Sequence, residues 1–261
     1  MPNSGRFAKK SLGQHFLSDP NPARKIVDSL DLRPEDRVLE IGSGRGALSI
    51  RIKAHGPRTF VALEKDLDLA LDLKQGYPGV SIVAADALKF SWERLLPARS
   101  WKIIGNLPYN VASPLMWELF SRCVGLRLAV FMVQKEVGAR LAARPGTKSY
   151  GGLSVWIQSF VAVEPLFIVP PGAFFPRPKV DSMVLRFSPV GPKVPFQPAA
   201  LARLVRMCFQ KRRKQMGTIL KPLWSTDMED WFAGQSLSPR VRPEELEPSQ
   251  FQGLSGVFEG C

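Results

Sequence analysis

Asn106, Leu107, Pro108 and Tyr109 stand at the end of an apolar run in "IIGNLPYNVASP", residues 103–114, just before a helical pattern begins. An amide oxygen accepts hydrogen bonds. A proline carries no N–H and forces the residue before it, here Leu107, out of the α region, so the turn presents acceptors rather than donors. A flat ring follows. Two acceptors suit an exocyclic amine such as adenine N6, which has two hydrogens to give and a lone pair delocalised into its ring. Held by Asn106 and a main-chain carbonyl, that nitrogen would face a methyl donor, and the positive charge it gains would be stabilised without a strong base. Tyr109 would stack a base swung out of its strand. The same four residues would equally serve as a plain turn with a buried tyrosine.

A second group is the loop "EIGSGRGALS", with Gly42, Gly44 and Gly46 after a β-rich run. Missing side chains let a ligand approach the backbone and permit positive φ. Glu64 follows twenty-two residues later at the end of the next run, placed to grip ribose hydroxyls, with Lys65 beside it. Asp86 and Ala87 close a third run and could read an adenine edge, although a lone Asp there also serves as a helix cap. The glycine loop and Glu64 suit NAD and S-adenosylmethionine (SAM) alike, and the acceptor turn at Asn106 favours SAM. His15, one of two histidines, has a packed or exposed structural role as its ordinary reading.

These residues need a scaffold that brings strand ends together. The runs 37–42, 59–64, 80–86, 101–106, 127–134 and 182–187 alternate with helical patterns, which predicts an α/β fold with a parallel, doubly wound sheet whose ligands gather beyond the carboxyl ends of its strands. "SPVGPKVPFQP", residues 188–198, holds four prolines and reads as a linker. Beyond it Leu201, Leu204, Val205, Cys208 and Phe209 form a helical stripe, and 227–233 and 243–256 read as short helices. The expected division is a cofactor-binding catalytic domain, 1–188, and a small helical domain, 189–261.

Charge points to the partner. Lys and Arg number 36 against 23 Asp and Glu, a net +13, distributed +10 over residues 1–188 and +3 over the rest. A chain so basic meets a polyanion, with nucleic acid the leading candidate and a merely solvated basic surface the alternative. No acidic residue occurs between Arg186 and Lys221, where Lys211, Arg212, Arg213 and Lys214 form a patch. No apolar run is long enough to cross a bilayer, and the first eighteen residues lack the apolar core of a secretory signal. Cys123, Cys208 and Cys261 are odd in number and widely spaced, which argues against disulfides and zinc. The reading is a cytoplasmic protein without a metal.

Five ordered segments, "KKSLGQHFL" (9–17), "VLEIGSGRGALS" (38–49), "NLPYNVASP" (106–114), "QKEVGARLAARPGTKSYGGLSV" (134–155) and "FFPRPKVDS" (174–182), give the chain a further identity. Together they resemble the ribosomal RNA adenine dimethyltransferases, the kasugamycin-resistance type. The resemblance implies a class I SAM-dependent methyltransferase fold. It also implies transfer of two methyl groups to N6 of each of two adjacent adenosines near the end of small-subunit ribosomal RNA, in ribosome biogenesis; the expected state is a monomer and the expected partner an assembling 30S subunit, with naked RNA left open as the alternative substrate. By position, Gln14, His15 and Leu17 would close over the cofactor, with Gly42 and Gly44 beside its methionine part. Glu64 would take the ribose and Asp86 the adenine; Asn106 would touch SAM and target base. Tyr109 and Phe174 would sandwich the target adenine. Arg177 and Lys179 on the proline-stiffened loop, Lys148, and Lys211–Lys214 would meet RNA phosphates. The chain departs from the family pattern at "FQKRRKQMGTIL" (209–220), where a more polar, Asn-containing stretch is expected; this bears on RNA docking, not on cofactor chemistry. Two other classes stay open at this level: a nicotinamide oxidoreductase, which would share the glycine loop and Glu64, and a non-catalytic RNA-binding ribosome-assembly factor, which would share the basic surface.

Overall fold

A computed structural model describes residues 14–96 and 100–259; Arg6, Lys9, Lys10 and Cys261 lie outside that range. The chain forms two compact units, one made of residues up to Gly138 and Val163–Pro189, the other of Ala139–Ala162 and Val190 onward.

The first unit is built on a seven-stranded sheet. Its strands are β2 (Arg37–Ile41), β3 (Thr59–Glu64), β4 (Ser81–Ala84), β5 (Trp101–Asn106), β6 (Leu126–Gln134), β7 (Val161–Val169) and β9 (Ser182–Pro189), in the order β4-β3-β2-β5-β6-β9-β7. The run from β4 to β6 is parallel. β9, expected to be parallel with the rest, instead runs antiparallel to β6, with Met132 opposite Val184. β7 has no counterpart among the expected strands. Pro165 within it removes a ladder donor, which a strand at the sheet's edge tolerates. A separate two-residue pair, β1 (Phe16–Leu17) and β8 (Phe174–Phe175), is antiparallel, with Phe16 opposite Phe175 and Leu17 opposite Phe174.

Successive residues of the central strands serve opposite faces, and both faces are covered, so those strands are apolar throughout. Val38, Ala62, Ile104, Val130 and Val184 join one buried cluster with Ile26 and Val27 of α1 (Pro20–Asp28) and Ile52 of α2 (Ser49–Ala54). Phe131 and Phe187 pack against Phe120 of α4 (Ala112–Arg122), with centroids 6.2 and 4.9 Å from it. α3 (Leu67–Gly76) follows β3 and is capped by Asp66, whose side chain accepts from Asp68 N.

The second unit is helical: α6 (Gly152–Gln158), α7 (Pro198–Gln210), α8 (Met216–Leu220), α9 (Thr226–Gly234) and α10 (Pro248–Glu259), with α5 (Lys135–Leu141) running into it. Pro198 sits in the first turn of α7, where a missing N–H costs nothing, and the expected stripe buries Leu201, Leu204, Val205 and Cys208. The division at residue 188 needs one correction. Residues 139–162 pack with 190 onward, because Tyr150 donates its hydroxyl to the Leu246 carbonyl at 2.8 Å, Gln252 donates to the Ser159 carbonyl at 3.2 Å, and α6 buries Val155, Trp156 and Ile157. Cys123 and Cys208 are buried free thiols, and burial pushes Cys208 up to about 12. No described helix is long and apolar enough to cross a membrane.

β2 and β5 approach closely at Gly105, where an added Cβ would lie 2.6 Å from the Ile41 carbonyl oxygen. That neighbour is backbone and cannot rotate aside. Gly105→Ala is therefore expected to lose about 1–3 kcal/mol of stability, the ordinary cost of overpacking, read as a lower urea midpoint. Gly172→Ala, with nothing within 4 Å, should leave the midpoint in place.

Candidate active site

The parallel register sets Gly42, Glu64 and Asn106 side by side. Ile41 is opposite Leu63 on one side and Gly105 on the other, so the next residue of each strand emerges at the same level. β2 is the point at which the chain order reverses, since β3 continues to one side and β5 to the other, and a crevice opens there beyond the strand ends.

Glu64 is buried, and both of its oxygens are in use: Oε2 accepts from Gly44 N and Oε1 from Asp66 N, each at 2.8 Å. Burial raises its pKa against the pull of those two N–H groups. Each oxygen keeps a further lone pair, enough for two neighbouring hydroxyls. Gly42 has φ +71°, and a Cβ there would project towards the Asn106 carbonyl, 3.6 Å away, and the Pro108 ring. A side chain at 42 would thus fill the gap between the glycine loop and the Asn106 turn. Gln14, His15, Leu17, Gly44, Lys65, Asp86 and Ala87 line the same pocket, as do Leu107, Pro108 and Tyr109. Asp86 both caps and pairs: it accepts from Leu88 N at 3.0 Å and from Lys65 Nζ at 2.9 Å, and the Lys65 hydrogen bond, the largest influence, holds its carboxyl below the usual range.

Asn106 is half-buried, and its Nδ2 donates to the His15 carbonyl at 3.0 Å. A carbonyl can only accept, so the amide is fixed with its NH2 towards His15 and Oδ1 kept as an acceptor. The Pro108 carbonyl accepts from Val111 N and Ala112 N, both at 3.1 Å, and so starts α4. The Tyr109 hydroxyl meets Ser182 Oγ at 2.9 Å; burial raises its pKa, so the ring stays neutral.

The structure does not bring every expected residue here. Phe174 is only 4% exposed, in the core with Leu17 and Ala173, whereas Phe175 is 63% exposed. Pairing with β1 fixes which of two adjacent aromatics turns inward, so Phe174 is no open partner for Tyr109. Arg177 and Lys179 are exposed in the first unit; Lys148, Lys211, Arg213 and Lys214 are exposed in the second. Arg212 is committed elsewhere: it pairs with Glu244 and donates to the Thr147 carbonyl at 3.3 Å. That makes it a strut of the second unit.

Three residues went unassigned from sequence. Glu40 lines the pocket, fully buried, accepting from Ser49 Oγ at 2.6 Å. Its position at the end of an apolar strand was the only signal. Arg45 lies over the Phe16 ring, 4.6 Å from its centroid. Asp66 caps α3 and accepts from Gln14 Nε2 at 3.2 Å, and its spacing before a helical run marked the cap.

The model of the family described as ribosomal RNA adenine dimethylase matches residues 5–257. The chain belongs to the ribosomal RNA adenine dimethylase family. It is 51% identical over 248 residues to a ribosomal RNA small subunit methyltransferase A of Maridesulfovibrio salexigens, covering 95% of this chain and 94% of that one. It is equally identical over 252 residues to the protein of that name from Nitratidesulfovibrio vulgaris Hildenborough, covering 95% of each. Among solved structures, a dimethyladenosine transferase from Plasmodium falciparum aligns with TM-score 0.77 at 24% identity, over 94% of this chain and 97% of that one. The 23S rRNA methyltransferase ErmE aligns with TM-score 0.69 at 24% identity, over 94% and 99%. These two likenesses speak to the fold, a class I SAM-dependent methyltransferase domain. The family member is a SAM-dependent enzyme acting on ribosomal RNA adenine, which sets aside the nicotinamide and non-catalytic alternatives.

Glu40 sets a pH dependence. Burial, the largest cause, raises it from an ordinary 4.5 to about 7. Between those values the folded state holds a proton that the unfolded state has released, so this group's contribution is full below pH 4.5 and is lost as pH rises through 7. Glu40→Gln, neutral throughout, should be more stable than the parent by about 1–3 kcal/mol at pH ~8 and show no gain at pH ~4.5, measured by urea unfolding at both.

Proposed function

We propose that this chain transfers two methyl groups to N6 of each of two adjacent adenosines near the 3′ end of small-subunit ribosomal RNA, acting as a cytoplasmic monomer on an assembling small subunit. The observation that carries the chemistry is the Asn106 amide, fixed by the His15 carbonyl so that Oδ1 accepts. The small-subunit assignment is supported by the name of the relatives at 51% identity.

The pocket fits SAM, which supplies an electrophilic methyl group when bound. Glu64 would hold its ribose, Asp86 and Ala87 its adenine, with Lys65 steadying Asp86. Gly42 and Gly44 would admit its methionine part, and Gln14, His15 and Leu17 would cover it. Asn106 Oδ1 and the Leu107 carbonyl, set by the proline after it, would accept the two N6 hydrogens of the target. Held this way, the amine would turn its lone pair towards the cofactor side of the pocket, and the two oxygens would stabilise positive charge growing on nitrogen. Tyr109 offers the stacking face. Arg177, Lys179, Lys148, Lys211, Arg213 and Lys214 would meet phosphates, positioning the RNA without reading its sequence.

Labelled methyl transfer from SAM to hypomethylated small subunits, followed by nucleoside analysis, tests the reading; N6,N6-dimethyladenosine is the expected product, and its absence would refute it. Asn106→Ala should fold normally and turn over about 100- to 1,000-fold more slowly, as when one preorganised polar group is removed from a transition state. Turnover near the parent's would remove Asn106 from its role.

Neutralising Lys211, Arg213 and Lys214, with Arg212 left in place to hold its strut, should weaken subunit binding. The slope of log affinity against log salt should fall by about 0.7–0.9 for each phosphate that is no longer neutralised. SAM affinity by calorimetry should not change. An unchanged slope would move the docking surface to Lys148, Arg177 and Lys179.

A further inference from the structure

A target adenine can stack on Tyr109 only on a face that is open, and here one face carries another ring. The His15 imidazole lies on it, with centroids 5.5 Å apart and planes 30° from parallel. Nδ1 of the imidazole hydrogen-bonds to the Pro176 carbonyl at 2.8 Å, and since a carbonyl accepts, Nδ1 carries the proton.

The backbone beneath this ring is held far more firmly than the ring itself. The His15 carbonyl accepts from Asn106, Phe16 and Leu17 pair with Phe175 and Phe174, and Ser18 N donates to the Ala173 carbonyl at 2.8 Å. Among the described residues, one hydrogen bond and one stack hold the half-buried imidazole. A side-chain rotation could therefore clear Tyr109 without disturbing the carbonyl that orients Asn106.

We infer that His15 determines specificity as a placeholder: its imidazole occupies the stacking face of Tyr109 in the RNA-free enzyme, and the target adenine enters by displacing it. The inference rests on the methyl-transfer reading above. Displacement breaks a stack and a hydrogen bond. Only an incoming group that stacks on Tyr109 in turn restores that stabilisation, and a purine offers a larger flat face than imidazole does. Water and non-aromatic amines restore nothing, so they are kept from the methyl-transfer position by competition rather than by a rigid wall.

Histidine NMR reads this directly, because the chain has two histidines and the other, His55, is exposed and serves as a reference. With 13C-labelled histidine and a His55→Gln variant for assignment, the ring-proton signal of His15 should lie upfield under the Tyr109 ring current. On titration with an adenine-containing oligoribonucleotide, with S-adenosylhomocysteine present to prevent turnover, it should move towards the position of His55. A signal that stays upfield at saturation overturns the proposal. In steady-state assays at saturating SAM, His15→Ala should lower the KM for RNA about two- to tenfold, the worth of one aromatic pair. A KM that rises or stays the same would make the ring a fixed wall or a bystander, and either result sinks the placeholder. Should the variant fail to fold, the NMR titration of the parent decides alone. An enzyme that methylates RNA while its His15 signal never moves loses only this inference, whereas one that transfers no methyl group loses the reading beneath it.

Discussion

The register of three neighbouring strands governs the site. β2 pairs with β3 and β5 so that Gly42, Glu64 and Asn106 leave the sheet at one level, with strands about 4.8 Å apart. Side chains alternate along a strand, so a slip of one residue in either ladder would turn Glu64 or Asn106 to the opposite face. Gly105 lets the β5 ladder close tightly against Ile41, and the apolar faces of the central strands hold the register because each must meet its own set of helices. Core packing and site geometry are in this sense one constraint.

The same constraint decides how much was legible in the sequence. Strand ends can be read because an apolar run must stop where polar chemistry begins, and all six runs match strands within two residues at each end. The glycine loop, Glu64 and the Asn106 turn each carry local backbone requirements, which sequence states directly. Pairings between distant segments are another matter. Whether Phe174 or Phe175 faces inward depends on strand β1, far away in the chain, and no local pattern encodes that parity. Arg212 reads as one of four equivalent cations until Glu244 and Thr147 are brought beside it by folding. Residues 139–162 precede the proline-rich stretch in the chain yet bury α6 with the helices beyond it, so the linker marks one of the chain crossings between the units and not the others. β9 looks like any other strand; its direction depends on its connection, which composition does not reveal.

The charges divide by depth. The surface carries the chain's excess of Lys and Arg, while the pocket wall and its support hold Glu40, Glu64 and Asp66 at 1%, 6% and 4% exposure. A sulfonium cofactor is cationic and RNA is a polyanion, so the buried carboxyls of Glu64 and Asp66 and an exposed basic surface would favour each in the place proposed for it. The acidic groups avoid mutual repulsion in two ways. Glu64 and Asp66 accept backbone N–H bonds, and Glu40 holds its proton up to about 7.

That last behaviour explains why an amide suits the acceptor role proposed for residue 106. A carboxylate at residue 106 would accept hydrogen bonds more strongly, but it would stand beside the same strand ends as Glu40 and Glu64. Burial and the neighbouring Glu64 raise Glu40 to about 7, and a protonated carboxyl donates as well as accepts. A donor aimed at N6 would compete with the hydrogens it has to receive. Asn106 cannot titrate, and its one ambiguity, which end of the amide is left as an acceptor, is removed by the His15 carbonyl. The neutral side chain gives up some acceptor strength and keeps one hydrogen-bonding pattern at every pH at which the protein is folded.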